Sequence, residues 1–186
     1  GTPILRDPTP MTDADYVLVE STYGGREHEP EAEAIRVLAE TVRMVADAGG
    51  VLLVPSFAIG RTQEVVWELD RMIDRGEIPL LPLYLDSPMA SKASDVYRRY
   101  PDYYDEETAA LLRSGDTPLD YPKQIVTNTP RESQAIEQAG WKNCLALPYP
   151  ACTVFYTTPA AVCSFPELFQ PQDNNDRQES TTEEVG

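Results

Sequence analysis

Short apolar runs that stop abruptly at polar residues recur along the chain, at 16–19, 51–54 and 83–85. Runs of this length bounded by Ser, Pro and Gly are typical of buried strands, and apolar residues on consecutive positions favour strands covered on both faces. Apolar residues at helical spacing follow each run, which predicts helices at about 29–48, 61–74 and 88–100. The pattern therefore predicts three successive strand-helix units.

A fourth unit follows after a turn-rich stretch. Residues 124–126 form a short apolar-centred run, and Thr129-Pro130-Arg131-Glu132 reads as a capping box that opens a helix to about residue 138. Strands that alternate with helices favour an α/β fold: a largely parallel, doubly wound, Rossmann-like sheet flanked by helices. Residues 140–186 sustain neither the helical nor the strand spacing of apolar residues, so we expect an irregular tail. Its final stretch, 170–186, has the composition of disordered chain.

Composition narrows the classes of function. The formal net charge of −16 excludes an extended basic surface that binds a phosphate backbone by charge alone. Any contact with nucleic acid therefore has to be local. No apolar run reaches the length of a membrane span and no signal peptide is evident, so we expect no membrane partner and a cytoplasmic location. The three cysteines fit neither paired metal-ligand spacing nor an even disulfide framework. A homodimer is left open by the sequence.

Polar groups at the ends of the predicted strands are the first candidates for a site, because ligands of open parallel sheets bind outside the carboxyl ends of the strands. Ser56 and Ser87 precede predicted helices. Each either caps its helix or helps to bind a phosphate or carboxylate together with Arg61 or Lys92. Glu20 ends the first predicted strand, and it either pairs with an arginine or acts beside a metal ligand as an acid, base or orienting group.

Other chemistries have weaker support in the sequence. His28 is the only histidine, so the chain cannot assemble a two-histidine zinc site by itself. Ser21 and His28 lack the nucleophile elbow of a serine hydrolase. Tyr97, Tyr100, Tyr103 and Tyr104 have helical spacing among acidic residues, which favours packing over stacking on bases.

Three motifs in order resemble the β-CASP region of metallo-β-lactamase-fold RNA nucleases, the family that includes the nuclease of mRNA 3′-end processing. These motifs are Val19-Glu20-Ser21-Thr22-Tyr23-Gly24, Val54-Pro55-Ser56-Phe57-Ala58-Ile59-Gly60-Arg61 and Tyr84-Leu85-Asp86-Ser87-Pro88-Met89-Ala90. The resemblance implies a β-CASP domain that caps a metallo-β-lactamase lobe of the same chain, with RNA between them. It also implies two zinc ions in the intact parent, and a metal-activated water that attacks the phosphodiester.

The resemblance assigns roles to residues at the strand ends. Glu20 would support a histidine ligand from the other lobe rather than bind metal itself, and no zinc ligand lies in this chain. Contacts to RNA or phosphate are expected from the polar and aromatic residues of the same loops: Ser21, Thr22, Tyr23, His28, Ser56, Phe57, Arg61, Ser87 and Lys92.

The resemblance also divides the chain. Residues 1–12 are expected to be a linker from the missing lobe and residues 13–139 a partial β-CASP domain. Residues 140–186 match no family motif, which suggests a truncated or frame-shifted reading. The chain alone is expected to be inactive. The alternative is a non-catalytic Rossmann-like module that binds a small anion, a nucleotide or a partner protein at the strand ends.

Overall fold

A computed structural model of the chain describes residues 2–21, 24–25, 30–138 and 143–148. The helices are α1 (Glu31–Asp47), α2 (Arg61–Asp74), α3 (Pro88–Arg99), α4 (Glu106–Ser114) and α5 (Pro130–Gln138), with a 3₁₀ turn at Pro101–Tyr103. The strands are β1 (Val51–Leu53), β2 (Leu83–Asp86), β3 (Gln124–Val126) and β4 (Cys144–Pro148). Helix boundaries predicted from periodicity agree with these within about two residues.

The four strands form one parallel sheet in the order β1-β4-β2-β3. Strand β4 pairs with β1 through Leu52 and Leu145, and with β2 through Tyr84 and Ala146. The predicted α/β fold with a parallel sheet flanked by helices is confirmed. Since β4 lies between β1 and β2, the last described strand occupies the centre of the sheet.

Leucines from the sheet form the main core. Leu52, Leu83, Leu85, Leu145 and Leu147 are all at most 1% exposed and pack in one cluster with residues of α1 and α2. At 25 cal/mol per Å² of apolar surface, a fully buried leucine stabilises the fold by roughly 1.5–3 kcal/mol. The opposite side of the sheet carries a smaller buried cluster that includes Cys144 and Ala146, whereas Cys152 and Cys163 lie outside the described residues.

The predicted first strand is wrong. Residues 16–19 have no strand pairing, and their side chains are 72–96% exposed. The segment has the composition of a buried strand, but no strand among the described residues pairs with it. Composition alone does not make a strand when the backbone has no partner.

The expectation of an irregular tail is wrong for Cys144–Pro148. Leu145 and Leu147 of this segment are each 1% exposed, because β4 has parallel neighbours on both sides. Residues 149–186, the remainder of that predicted tail, lie outside the described residues.

The expected linker at 1–12 is only partly a linker. Ile4 is buried in the main core at 1% exposed, and its carbonyl accepts a hydrogen bond from the Asp105 N–H at 2.9 Å. Leu5 forms an antiparallel bridge with Tyr104. Residues 4–6 are thus bonded to the segment that leads into α4, since the Arg6 N–H also donates to the Tyr103 carbonyl at 3.0 Å. Residues 7–12 are exposed.

Candidate functional site at the strand ends

All four strands end at the same edge of the sheet because they are parallel. The loop after β1 (54–60) and the turn after β2 (Asp86–Ser87) therefore lie at one edge, as predicted from the sequence. We call this edge, with those two connections and the first turns of α2 and α3, the rim. It is where ligands bind in open parallel sheets.

Gln63 joins the two connections of the rim. The side chain is fully buried, and its Nε2 lies 3.2 Å from the carbonyl oxygens of both Ala58 and Ala90 and 3.1 Å from Ser94 Oγ. Its Oε1 accepts a hydrogen bond from the Gly60 N–H at 2.8 Å. A single amide thus binds the loop after β1 to the first turn of α3, and buried polar groups satisfied in this way give a well-defined local geometry.

The two predicted site serines are both buried, at 4% exposed for Ser56 and 3% for Ser87. Ser87 caps α3, since its Oγ accepts a hydrogen bond from the Ala90 N–H at 3.2 Å. For Ser87 the capping alternative from the sequence is confirmed. Ser56 does not cap α2, because that helix begins at Arg61 with Gly60 in the capping position, and the Ser56 hydroxyl donates to the Val54 carbonyl at 3.3 Å.

The first turn of α2 is satisfied by its own loop. Gly60 adopts a φ of 83°, a left-handed conformation that glycine tolerates at little cost. The Thr62 N–H and its hydroxyl both donate to the Phe57 carbonyl, at 3.1 Å and 2.8 Å. The Arg61 N–H donates to the Ile59 carbonyl. These N–H groups donate to acceptors within the loop itself. Few backbone donors at the start of α2 are therefore left for an anion, which argues against the anion-binding alternative.

What the rim exposes is mainly apolar. Phe57 is 74%, Ile59 67% and Met89 55% exposed. The cations at the rim are Arg61, whose half-exposed side chain forms a 2.9 Å ion pair with Glu64, and the exposed Lys92 on α3. The rim can therefore offer an aromatic face and two cations to a ligand.

A polar cluster that the sequence did not single out lies at the ends of β2 and β3. Asp86 accepts hydrogen bonds from the hydroxyls of Thr127 and Ser133, the latter at 2.8 Å. The predicted capping box of α5 is confirmed in one of its two bonds, because the Glu132 N–H donates to the Thr129 hydroxyl at 3.3 Å. The Glu132 carboxylate accepts from the Asn128 N–H at 2.7 Å, one residue before the position that a capping box uses. Hydroxyl residues at the end of a strand and the start of the next helix are the signal that could have indicated this cluster.

Glu20 and Ser21 are exposed and irregular, so Glu20 does not end a buried strand as the sequence predicts. The prediction for Glu20 fails for the same reason as the predicted strand at residues 16–19, because no described strand pairs with this segment. Thr22, Tyr23 and His28 lie outside the described residues.

The described residues supply no ligand set for zinc. Among them, no three His, Cys, Asp or Glu side chains form a group that could hold a metal ion. Within the same part of the chain, no helix combines the length and apolar character needed to cross a membrane.

The family model for the Beta-Casp domain matches residues 62–174, from the first turn of α2 through all later elements of the sheet. That match includes β4 and continues to residue 174, so it extends into residues 140–186, the segment for which we expect no family motif from the sequence.

Three relatives illustrate the similarity. A ribonuclease of Thermus thermophilus is 36% identical over 136 residues, 73% of this chain and 31% of the relative. Cleavage and polyadenylation specificity factor subunit 3 of Dictyostelium discoideum is 35% identical over 55% of the chain and 13% of the relative. Transcription termination factor FttA of Methanosarcina mazei is 33% identical over 56% of the chain and 17% of the relative. The chain spans less than a third of each of these proteins.

Proposed function

Because the chain belongs to the Beta-Casp domain family, we propose that it is the RNA-contacting cap of a zinc-dependent ribonuclease of the metallo-β-lactamase fold. The observation that carries the proposal is the family match over residues 62–174, together with relatives named as a ribonuclease and as an mRNA cleavage factor. In this proposal the rim faces the RNA, and the zinc ions are held outside the described residues, by a metallo-β-lactamase lobe.

The exposed groups of the rim suit a local contact with single-stranded RNA. An exposed aromatic ring such as Phe57 can stack on a base, and stacking tolerates any base because each has a π-face. Arg61 and Lys92 can each contact a phosphate. With a net charge of −16, a few such cations beside an aromatic side chain are a more suitable contact than an extended basic surface.

The buried groups of the rim have a positioning role in this proposal. Gln63 and Ser87 hold the loop after β1 and the start of α3 in one geometry, so Phe57 and Lys92 are presented together. The chain itself binds and orients RNA. Zinc would supply an activated water, but the described residues contain no ligand set for it, so we assign no hydrolytic step to them.

The proposal is tested by RNA cleavage with the full-length gene product that carries this chain. We expect cleavage that is abolished by a chelator and restored by zinc, and no cleavage by the 186-residue chain alone. Glu20→Ala in the full-length protein should lower cleavage with the fold intact, through the zinc site. A gene product that lacks zinc and does not cleave RNA would refute the proposal.

A second arm measures RNA binding by the chain itself. Fluorescence anisotropy with a short labelled single-stranded RNA should show binding that Phe57→Ala weakens about fivefold or more, the loss expected for one stacked base. Met11→Ala is the matched control, because Met11 is 86% exposed and lies away from the rim loops in the sequence. Equal affinities for both variants would remove Phe57 from the site.

A further inference from the structure

The tyrosine cluster near the end of α3 divides into a packed pair and an exposed pair. Tyr104 is 5% exposed, and its hydroxyl donates to the Tyr97 carbonyl at 3.0 Å, so packing explains these two residues as the sequence analysis predicts. Tyr100 and Tyr103 are 57% and 62% exposed, and for them the packing prediction is wrong. Two large aromatic side chains with this exposure are available to a ligand.

The exposed pair is held in a defined arrangement. The rings of Tyr100 and Tyr103 meet edge to face, with centroids 6.4 Å apart and planes at 72°. The 3₁₀ turn Pro101–Tyr103 fixes the backbone between them, and the Tyr103 N–H donates to the Tyr100 carbonyl at 3.2 Å. The Arg6 guanidinium lies 5.9 Å from the centre of the Tyr103 ring, and the Arg6 N–H donates to the Tyr103 carbonyl at 3.0 Å. Binding to such a preorganised surface loses little conformational entropy.

A stripe of exposed residues on α3 leads from the rim to this pair. Met89, Lys92, Val96 and Arg99 recur at spacings of three and four, so they share one face of α3, and Tyr100 follows as the residue that caps the end of the helix. Met89, Val96 and Tyr100 are each more than half exposed, and Lys92 and Arg99 are exposed. The stripe runs about 15 Å along α3 from Met89 to Arg99, at 1.5 Å per residue. We call this stripe together with Tyr103 the α3 track.

We propose that the α3 track binds single-stranded RNA as it leaves the rim, with bases stacked on Tyr100 and Tyr103 and phosphates beside Lys92 and Arg99. The inference rests on the proposed function for the choice of RNA. The chemistry itself, stacked aromatic faces next to a few cations, is that of sequence-tolerant binding to single strands.

Local charges agree with a contact of this kind. Near the pair, the Asp105 carboxylate accepts from the Thr108 N–H at 2.7 Å, and Glu106 pairs with Arg113 at 2.7 Å. Asp102 lies on the 3₁₀ turn itself and is exposed, so phosphates are favoured on the Arg99 side of the platform. Stacking therefore carries most of the affinity, and the salt dependence should be small.

The test is anisotropy of a fluorescein-labelled oligoadenylate RNA titrated with the 186-residue chain. Tyr100→Ala combined with Tyr103→Ala should weaken binding at least about fivefold, and Phe at both positions should restore it because the stacking faces are retained. The slope of log K against the logarithm of the salt concentration is negative, and Arg99→Ala should reduce its magnitude by about 0.7, the value for one phosphate of a single strand. Tyr16→Ala is the control, since Tyr16 is 90% exposed and lies outside α3.

The outcomes separate this inference from the proposed function. If Phe57→Ala weakens binding and the double alanine variant binds as the unsubstituted chain does, RNA stays at the rim. The α3 track is then free for a protein partner, and this inference is overturned. If the chain binds no RNA at all, the RNA-contacting role itself fails and the inference falls with it. Equal losses for the Ala and Phe pairs would exclude stacking and overturn the inference as well.

Discussion

Replacing Gln63 with leucine removes the side chain that joins the two connections of the rim. The volume of the buried side chain is nearly kept, so the change tests the hydrogen bonds rather than the packing. Leucine leaves the Ala58 carbonyl and the Gly60 N–H without their Gln63 partner. The Ala90 carbonyl still accepts from the Ser94 hydroxyl at 3.0 Å, so it keeps one partner.

The size of the effect follows from those two groups. Leaving a buried donor or acceptor unsatisfied costs about 1–3 kcal/mol each. The more apolar leucine side chain recovers roughly 1 kcal/mol. We therefore expect Gln63→Leu to lower the free energy of unfolding by about 1–5 kcal/mol, a large part of the stability of a small domain.

Urea unfolding followed by circular dichroism measures this loss, with an unchanged slope as evidence that only stability changed. Gln134→Leu on α5 is the control, because Gln134 is exposed and should shift stability by less than about 0.5 kcal/mol. A loss under about 1 kcal/mol for Gln63→Leu would refute the reasoning, since the loop after β1 and the start of α3 would then not depend on this amide.

Three further changes are expected to be informative. Ser87→Ala should lower the free energy of unfolding by about 1 kcal/mol through loss of the α3 cap, measured in the same urea assay. Leu145→Ala should cost about 2–5 kcal/mol because this side chain is 1% exposed on the central strand, and unchanged stability would remove β4 from the sheet. Burial raises the pKa of the Glu68 carboxyl above its ordinary value of 4.5, with the neighbouring acids opposing Arg75. Stability from this carboxyl is thus greatest below that value and is lost as pH rises through the folded-state pKa. Glu68→Gln should therefore melt at a higher temperature than the unsubstituted chain at neutral pH, and the difference should vanish below about pH 4; a difference independent of pH would contradict this.

The helices were predictable because periodicity and end signals agree in each. In α2, Val66, Leu69 and Met72 form the buried stripe, and Gly60 and Gly76 bound the helix. The strands were predictable only where a neighbour exists. Residues 16–19 and β1 have similar apolar composition, but only β1 has a parallel partner, so tertiary pairing decides between them.

Strand β4 was missed for the opposite reason. Its two leucines alternate with small residues directly after a predicted helix, a usable signal, but the charge-free stretch around it shows no sustained period. Its insertion between β1 and β2 depends on contacts distant in sequence. Local pattern cannot encode such an order, because the pairing is chosen by burial on both faces of the sheet.

The serines at the rim show how the same residue types can indicate the wrong chemistry. Ser56 and Ser87 stand where anion-binding residues of parallel sheets often stand, yet both are buried and bonded to backbone. Since Gln63 fixes Ala58 and Ala90 on either side, the residues next to these alanines, Phe57 and Met89, are the ones turned outward. The rim is therefore polar inside, where it holds its own shape, and apolar outside. The apolar part of this surface is suited to bases, and exposed apolar residues continue along α3 at Met89 and Val96.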